Sequence, residues 1–467
     1  LQLPLDKLSQ LQQLQLEGLK LQLPGEGDSH DSSPGVDTSL DSVGGSSNAA
    51  TAALSSLQHL ELDEIQFASI SSLLQITRAP QLRSLLMNDI ELSEPVFAAG
   101  WLRSGNSEAA VQQVAEAMPS MLQQLPRLSV LQMPKSPFTD AAVQQAAALQ
   151  GLQSLSLAHS GFLPMCNLQL LPSSITRLVL QEYSLPRELS QLSGLLQLEI
   201  ESGSVPPGVL GCFMQLQVLH MLDYCRLLPY VEGDNLAAEG TEALLDALLQ
   251  LTHLRDLRLQ LSCLDTVSTA QRFAALTASS HLTRLFLTRD HYASLPEGAM
   301  QHMFPVGRHM EFLVHLTINT TASDNNVWRV AAADLGRITQ SCPKLQWLDL
   351  CGSVQPGADL SGLLQLPECC TSLLVGGAGF TDAAVPSVLQ LTQLKHLSWS
   401  WDDGFTDVGL EQLVGLDLDQ LYVLNCGLSV EVHQDKHGDD PVDLKSHPKK
   451  VSATHALQLA MQAVHAR

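Results

Sequence analysis

The chain has 467 residues, 45% of them hydrophobic but only 4% aromatic, and a formal net charge of −23. A protein this acidic repels phosphate backbones, which excludes general nucleic-acid binding, and no run of about 18 apolar residues offers a membrane span. Nine cysteines, an odd number without a C-x-x-C pair, read as free thiols of a reducing compartment, cytoplasm or nucleus, rather than as a disulfide framework.

One form, L-x-x-L-x-L, recurs along the chain, with Ile, Met, Val, Cys or Trp replacing some Leu. It opens as LQQLQL from Leu11, LQHLEL from Leu57, LRSLLM from Leu82, LSVLQM from Leu128 and LQSLSL from Leu152. It continues as ITRLVL from Ile175, LLQLEI from Leu195, LQVLHM from Leu216, LRDLRL from Leu254, LTRLFL from Leu282 and LVHLTI from Leu313. It closes as LQWLDL from Leu345, CTSLLV from Cys370, LKHLSW from Leu394 and LDQLYV from Leu418. The alternating x-L-x-L-x part predicts a short strand with its Leu side chains on one face. One repeat cannot bury that face alone, so repeats must stack, with parallel strands and outer crossovers.

The connectors come in two styles. LPRELSQLSGL (Leu185 to Leu195) and VPPGVLGCFMQL (Val205 to Leu216) are short and tight. FTDAAV, at Phe138 and again at Phe380, and FTDVGL at Phe405 place a Thr or Asp cap before an apolar stripe, which predicts helices. Further helices are expected over SEAAVQQVAEAM (from Ser107) and GTEALLDALLQL (from Gly240), inside longer insertions.

These motifs resemble the leucine-rich repeat superfamily. The short connectors resemble its LPxxLxxL repeats. The capped ones resemble ribonuclease-inhibitor-like repeats and the cysteine-containing repeats of F-box proteins, as does the junction Cys342-Pro343-Lys344-Leu345. The resemblance implies an α/β solenoid, a curved horseshoe with a parallel sheet on the concave face and helices and irregular turns on the convex face. It also implies that Cys342 packs at a helix end rather than serving metal or redox chemistry.

We expect the array over residues 1–430, in about fifteen repeats, with an acidic disordered insertion at 24–53. From Leu21 to Thr77 there is no Lys or Arg against eight Asp and Glu. Residues 431–467 read as a polar tail, with a closing helix from Ser452 to Ala466. His433 and His437 in that tail have helical metal-ligand spacing, but Gly438 and Pro441 argue against the helix. The chain starts inside a repeat, so a preceding part is expected, and an F-box would lie there.

No P-loop, H-E-x-x-H or G-x-S-x-G occurs, so the chain reads as non-enzymatic, with no cofactor and no metal. The third, fifth and seventh residues of each copy should line the concave sheet. Arg258, Arg284, Phe286 and Trp347 are then expected on four nearby strands, joined by His315, Asp349 and Tyr422 as partner-binding residues. Arg and aromatic side chains are the ones that make binding hot spots. Two outcomes stay open: the arginines receive an acidic or phosphorylated segment of a protein partner, or they pair locally with Asp256 and Asp349. The expected protein is a monomeric interaction scaffold. In its narrower form it is the substrate-recognition part of an F-box ubiquitin-ligase receptor. The alternative is a regulatory inhibitor or GTPase-regulating partner of a single enzyme. A receptor ectodomain is opposed by the free cysteines and the absence of a signal peptide.

Overall fold

All fifteen motif copies form strands, and each strand starts at the third residue of its copy. The reason is local. The amide of the first motif residue closes a tight turn onto the carbonyl three residues back, as from Leu254 to Leu251 (3.1 Å) and from Leu345 to Cys342 (3.2 Å). The next two amides converge on one carbonyl of the preceding repeat. Thr283 and Arg284 donate to Arg255 at 2.8 and 3.0 Å, and Gln346 and Trp347 donate to Val314 at 2.9 and 3.0 Å. Equivalent motif positions are thereby placed side by side.

The computed structural model describes residues 11–17, 20–21, 54–92 apart from 68–69 and 89, 108–158 apart from 135–137, and 167–222 apart from 183–184, 186–188, 203–204 and 207. It also describes 234–320 apart from 261–263, 265–266, 268, 290–295 and 297, and 330–433 apart from 355–359, 377–380, 402–406, 414–415 and 426–427. The acidic insertion 24–53, His437 and the expected closing helix lie outside these residues. The chain divides into two units between Gln215 and Leu216, at the first residue of a motif copy.

In the first unit, β1 (Gln13–Glu17), β3 (His59–Asp63), β5 (Ser84–Asn88), β7 (Val130–Met133), β8 (Ser154–Ala158), β9 (Arg177–Gln181) and β10 (Gln197–Glu201) pair in parallel, in that order. The two-residue strands β2 (Lys20–Leu21), β4 (Gln66–Phe67) and β6 (Glu91–Leu92) form a second small parallel sheet. Helices at Glu108–Gln123 and Asp140–Ala148 cross back outside the main sheet. Thr139 caps the second of them, its hydroxyl accepting from the Ala142 amide at 3.4 Å. Among their described residues, the tight connectors carry the 3-10 turns Ser190–Leu192 and, after β10, Val209–Cys212.

In the second unit the parallel order is β11 (Val218–Leu222), β12 (Asp256–Gln260), β13 (Arg284–Arg289), β14 (His315–Thr320), β15 (Trp347–Leu350), β16 (Ser372–Gly376), β17 (His396–Trp401) and β18 (Gln420–Asn425). A strand that carries no motif, β19 (Leu428–His433), follows β18 antiparallel. Helices at Asp234–Gln250 and Ala332–Ser341 and the 3-10 helices Ala270–Thr277 and Leu360–Gln365 form the outer layer. The first of these helices begins six residues before the expected Gly240 start.

The side-by-side register turns the motif leucines into continuous buried columns. Leu257, Leu285, Leu316, Leu348, Leu373 and Leu397 are all fully buried, as are the next column's Leu259, Leu287, Ile318, Leu350 and Val375. Each such side chain contributes about 1.5–3 kcal/mol of burial. Cys370 stands in the first-leucine column and is equally buried, so a thiol serves there as a small hydrophobe. Where strands end, the eighth motif position turns left-handed at Glu64 (φ 52°), Glu182 (φ 60°), Ser202 (φ 53°) and Gly352 (φ 70°).

Cys342 ends the helix Ala332–Ser341, its amide donating to the Ile338 carbonyl at 3.0 Å. Its side chain is fully buried, and burial pushes the thiol up to about 12. A thiol buried in this way is a poor nucleophile and packs as a small hydrophobe.

Candidate functional site

The open face of the second unit's sheet, opposite the leucine columns, carries the candidate residues. The register sets them in rows: Asp256 beside Arg284 and His315 beside Trp347 in one, Arg258 beside Phe286 and Thr317 in the next. Arg284 and Phe286 share β13, so Arg258, Arg284, Phe286 and Trp347 occupy three strands rather than the expected four. His315, on β14, fills the gap between them.

These side chains form one connected series. The Arg258 guanidinium lies over the Phe286 ring, 4.4 Å from its centroid. Phe286 meets His315 edge-on at 6.0 Å, and His315 meets Trp347 edge-on at 5.2 Å. Edge-to-face and cation–π contacts of this kind set ring orientation before any partner arrives.

Asp256 anchors the charged end. Its side chain is only 2% exposed, and three neighbours converge on its carboxylate. Arg284 Nη2 lies 2.7 Å from Oδ2, Arg258 Nε 3.5 Å from Oδ1, and His220 Nε2 of β11 3.3 Å from Oδ2. Burial alone would raise this carboxyl. The His220 hydrogen bond and charge, with the charges of Arg258 and Arg284, hold it below its ordinary value. The guanidinium groups themselves stay 35% and 46% exposed. Each keeps donors turned away from Asp256, since a guanidinium carries five N–H groups. His315 is held below its ordinary value, first by burial and then by the charges of Arg284 and Arg258.

Asp349 stands apart from this ion cluster. It accepts from Asn319 Nδ2 at 3.4 Å and from the Cys351 amide at 3.0 Å, and burial raises its carboxyl. Of the two local pairings, the one with Asp256 is present, and Asp349 is held by Asn319 and Cys351 instead. Tyr422 lies on β18, three strands on from β15, or about 14 Å at the usual strand spacing. It does not join the series.

A second row escaped the sequence reading. His253 and His281 stack at 6.3 Å, His281 meets Phe312 at 6.1 Å, and Lys344 Nζ lies 5.5 Å over the Phe312 ring. All four directly precede the first leucine of a motif copy. That shared position was the available signal.

The fold is a leucine-rich-repeat solenoid. Motif-long strands, side-by-side register and buried leucine columns establish it within each unit. Similar solved structures include an internalin from Listeria monocytogenes, at 16% identity over 89% of this chain and 88% of that one, TM-score 0.41. They also include a leucine-rich-repeat protein from Leptospira interrogans, at 17% identity over 79% and 84%, TM-score 0.43. A third is the plant peptide hormone receptor RGFR1 in complex with RGF2, at 15% identity over 81% and 52%, TM-score 0.35. At these TM-scores the likeness adds nothing to what register and burial establish. No family model and no curated protein matches the chain in sequence. Among the described residues no helix is long and apolar enough to cross a membrane, and no group of three His, Cys, Asp or Glu side chains is placed to hold a metal.

Proposed function

We propose that the solenoid is a non-enzymatic protein-recognition scaffold, and that the open sheet face of β12–β15 is its contact surface. The observation that carries this is the connected series Arg258–Phe286–His315–Trp347, half-exposed and tied at one end to Asp256. Pre-ordered arginine and aromatic side chains lose little entropy on binding, which is what concentrates affinity in a few residues. The partner presents an acidic or phosphorylated segment to Arg258 and Arg284 and an apolar group to Phe286 and Trp347. The scaffold acts as a monomer in the cytoplasm or nucleus, in keeping with the free thiols of Cys212, Cys342, Cys351, Cys369 and Cys370.

The narrower role, substrate receptor of an F-box ubiquitin ligase, draws support from the Cys342-Pro343 junction at a helix end. The test is capture of partners from cytosol by the full chain and by an Arg284→Gln, Trp347→Ala variant of equal melting temperature. Gln replaces Arg284 because an acid there would face the buried Asp256. A protein enriched by the wild type and lost by the variant supports the proposal. Identical capture by both moves the site elsewhere.

A further inference from the structure

Among the described outward side chains of β11–β15, two are acids, and their surroundings differ. Asp256 has Arg258, Arg284 and His220 against it. Asp349 is nearly as deep, at 7% exposure, yet among the described residues no Lys, Arg or His stands within ion-pair reach of it. The charges of Arg258 and Arg284 bear on Asp256 and His315, whereas Asp349 is governed by burial, Cys351 and Asn319. A carboxylate buried on a partner-facing surface without a counter-ion is costly to the free protein. A cation brought by the partner removes that cost.

The register supplies the approach. Phe286, Thr317 and Asp349 stand side by side in one row, with His315 and Trp347 in the adjoining row. Thr317 is buried and short, so its place between Phe286 and Asp349 is a dip bordered by three half-buried rings. Arg258 reaches Phe286 from β12, whereas the dip lies toward β14 and β15.

We infer that Asp349 is the seat of a lysine from the partner: the alkyl stem of the lysine crosses the Phe286–Trp347 shelf and its ammonium ends at the Asp349 carboxylate. The inference rests on the recognition proposal above and extends it, since the apolar group laid on the shelf is then a stem that carries a charge. A lysine fits better than an arginine, because an ammonium is a compact point charge on a slender stem and the carboxylate keeps only a narrow opening. Lysine stems ordinarily cover apolar surface while the head reaches a polar end, and ring faces attract the ammonium as well. Asp349 has room for the new donor: Asn319 bonds Oδ2 and the Cys351 amide bonds Oδ1, out of about four lone-pair sites on a carboxylate.

The experiment uses the full chain with butylammonium, which is a lysine side chain without its backbone, and butan-1-ol, its neutral counterpart, as probes in ligand-observed NMR titrations. The working point is about pH 8.5, above a carboxyl raised by burial and below the ammonium value of about 10.4. Wild type should bind butylammonium about tenfold more tightly than butan-1-ol, the contribution of one hydrogen bond to a charged group. Asp349→Asn should abolish that preference without lowering the melting temperature, because the amide keeps an acceptor for the Cys351 N–H and drops the unpaired charge. Trp347→Ala should weaken both probes. Equal binding of the two probes by wild type overturns the inference, as does a butylammonium preference that survives in folded Asp349→Asn. If Asp349→Asn does not fold, wild type and Trp347→Ala decide: the preference in the first and the lost affinity in the second support the lysine seat, and either one missing overturns it. The recognition surface is judged separately, by capture with the Arg284→Gln, Trp347→Ala variant. A partner lost in that variant but held equally by Asp349→Asn leaves the surface standing and removes the lysine seat.

Discussion

Arg284 of β13 sets Nη2 2.7 Å from Oδ2 of Asp256, its direct cross-strand neighbour on β12. The pair joins a buried acid to a guanidinium that is almost half exposed, so one ion pair serves both the sheet and its surface. Removing the acid should therefore cost more than removing the base. Asp256→Ala leaves two arginines without their shared counter-ion and should destabilise by about 3–5 kcal/mol, measured by urea unfolding at neutral pH. Because the folded carboxyl lies below its ordinary 3.8, its contribution is fully present above that value. It fades as pH falls through the lower folded value, so wild type and Asp256→Asn should converge in acid.

His315 titrates with the opposite consequence of neutrality. Its folded value lies below the ordinary 6.5, because burial and then Arg284 and Arg258 disfavour the charged ring. The unfolded chain binds the proton first, so stability declines as pH drops through about 6.5 and levels off below the folded value. His315→Phe keeps ring contacts with Phe286 and Trp347 and should remove that slope. Paired unfolding curves near pH 7.5 and 5.5 decide it, and an equal slope in the variant would contradict the assignment.

Gly362 is required by close approach rather than by its dihedral angle. A Cβ there would meet the Gly336 amide nitrogen at 2.8 Å and the Leu335 Cβ at 2.9 Å, on the helix Ala332–Ser341. Backbone cannot yield as a flexible side chain does, so Gly362→Ala should cost about 1–3 kcal/mol. Gly211, whose added Cβ would meet nothing within 4 Å, is the control. Thermal unfolding of Gly211→Ala should stay within about 0.5 kcal/mol of wild type.

Thiol reactivity should sort the cysteines by burial. Cys369 is exposed, whereas Cys342 and Cys370 are buried, both pushed up to about 12. Alkylation of the native chain followed by peptide mapping should modify Cys369 within minutes and spare the other two until unfolding. Rapid native labelling of Cys342 would revive a chemical role for it.

Much of this molecule could be read one residue at a time. The period of two in x-L-x-L-x defines a strand, and fifteen recurring copies define a stack, because each apolar face can be covered only by the next repeat. Thr139 announced its helix by the same local logic, a hydroxyl supplying an amide with the acceptor the first turn lacks. β19 gave no such sign, since it pairs antiparallel to β18 and needs no motif of its own. The sequence by itself also determined which residues face away from the core, Arg258, Arg284, Phe286 and Trp347 among them. Only the tertiary structure decided how they meet. Pairing Asp256 with Arg284, inserting His315 between Phe286 and Trp347, and leaving Asp349 to Asn319 depend on the lateral order and rotamers of neighbouring strands. Those contacts join residues 28 to 32 positions apart in the chain, a separation that no local periodicity encodes.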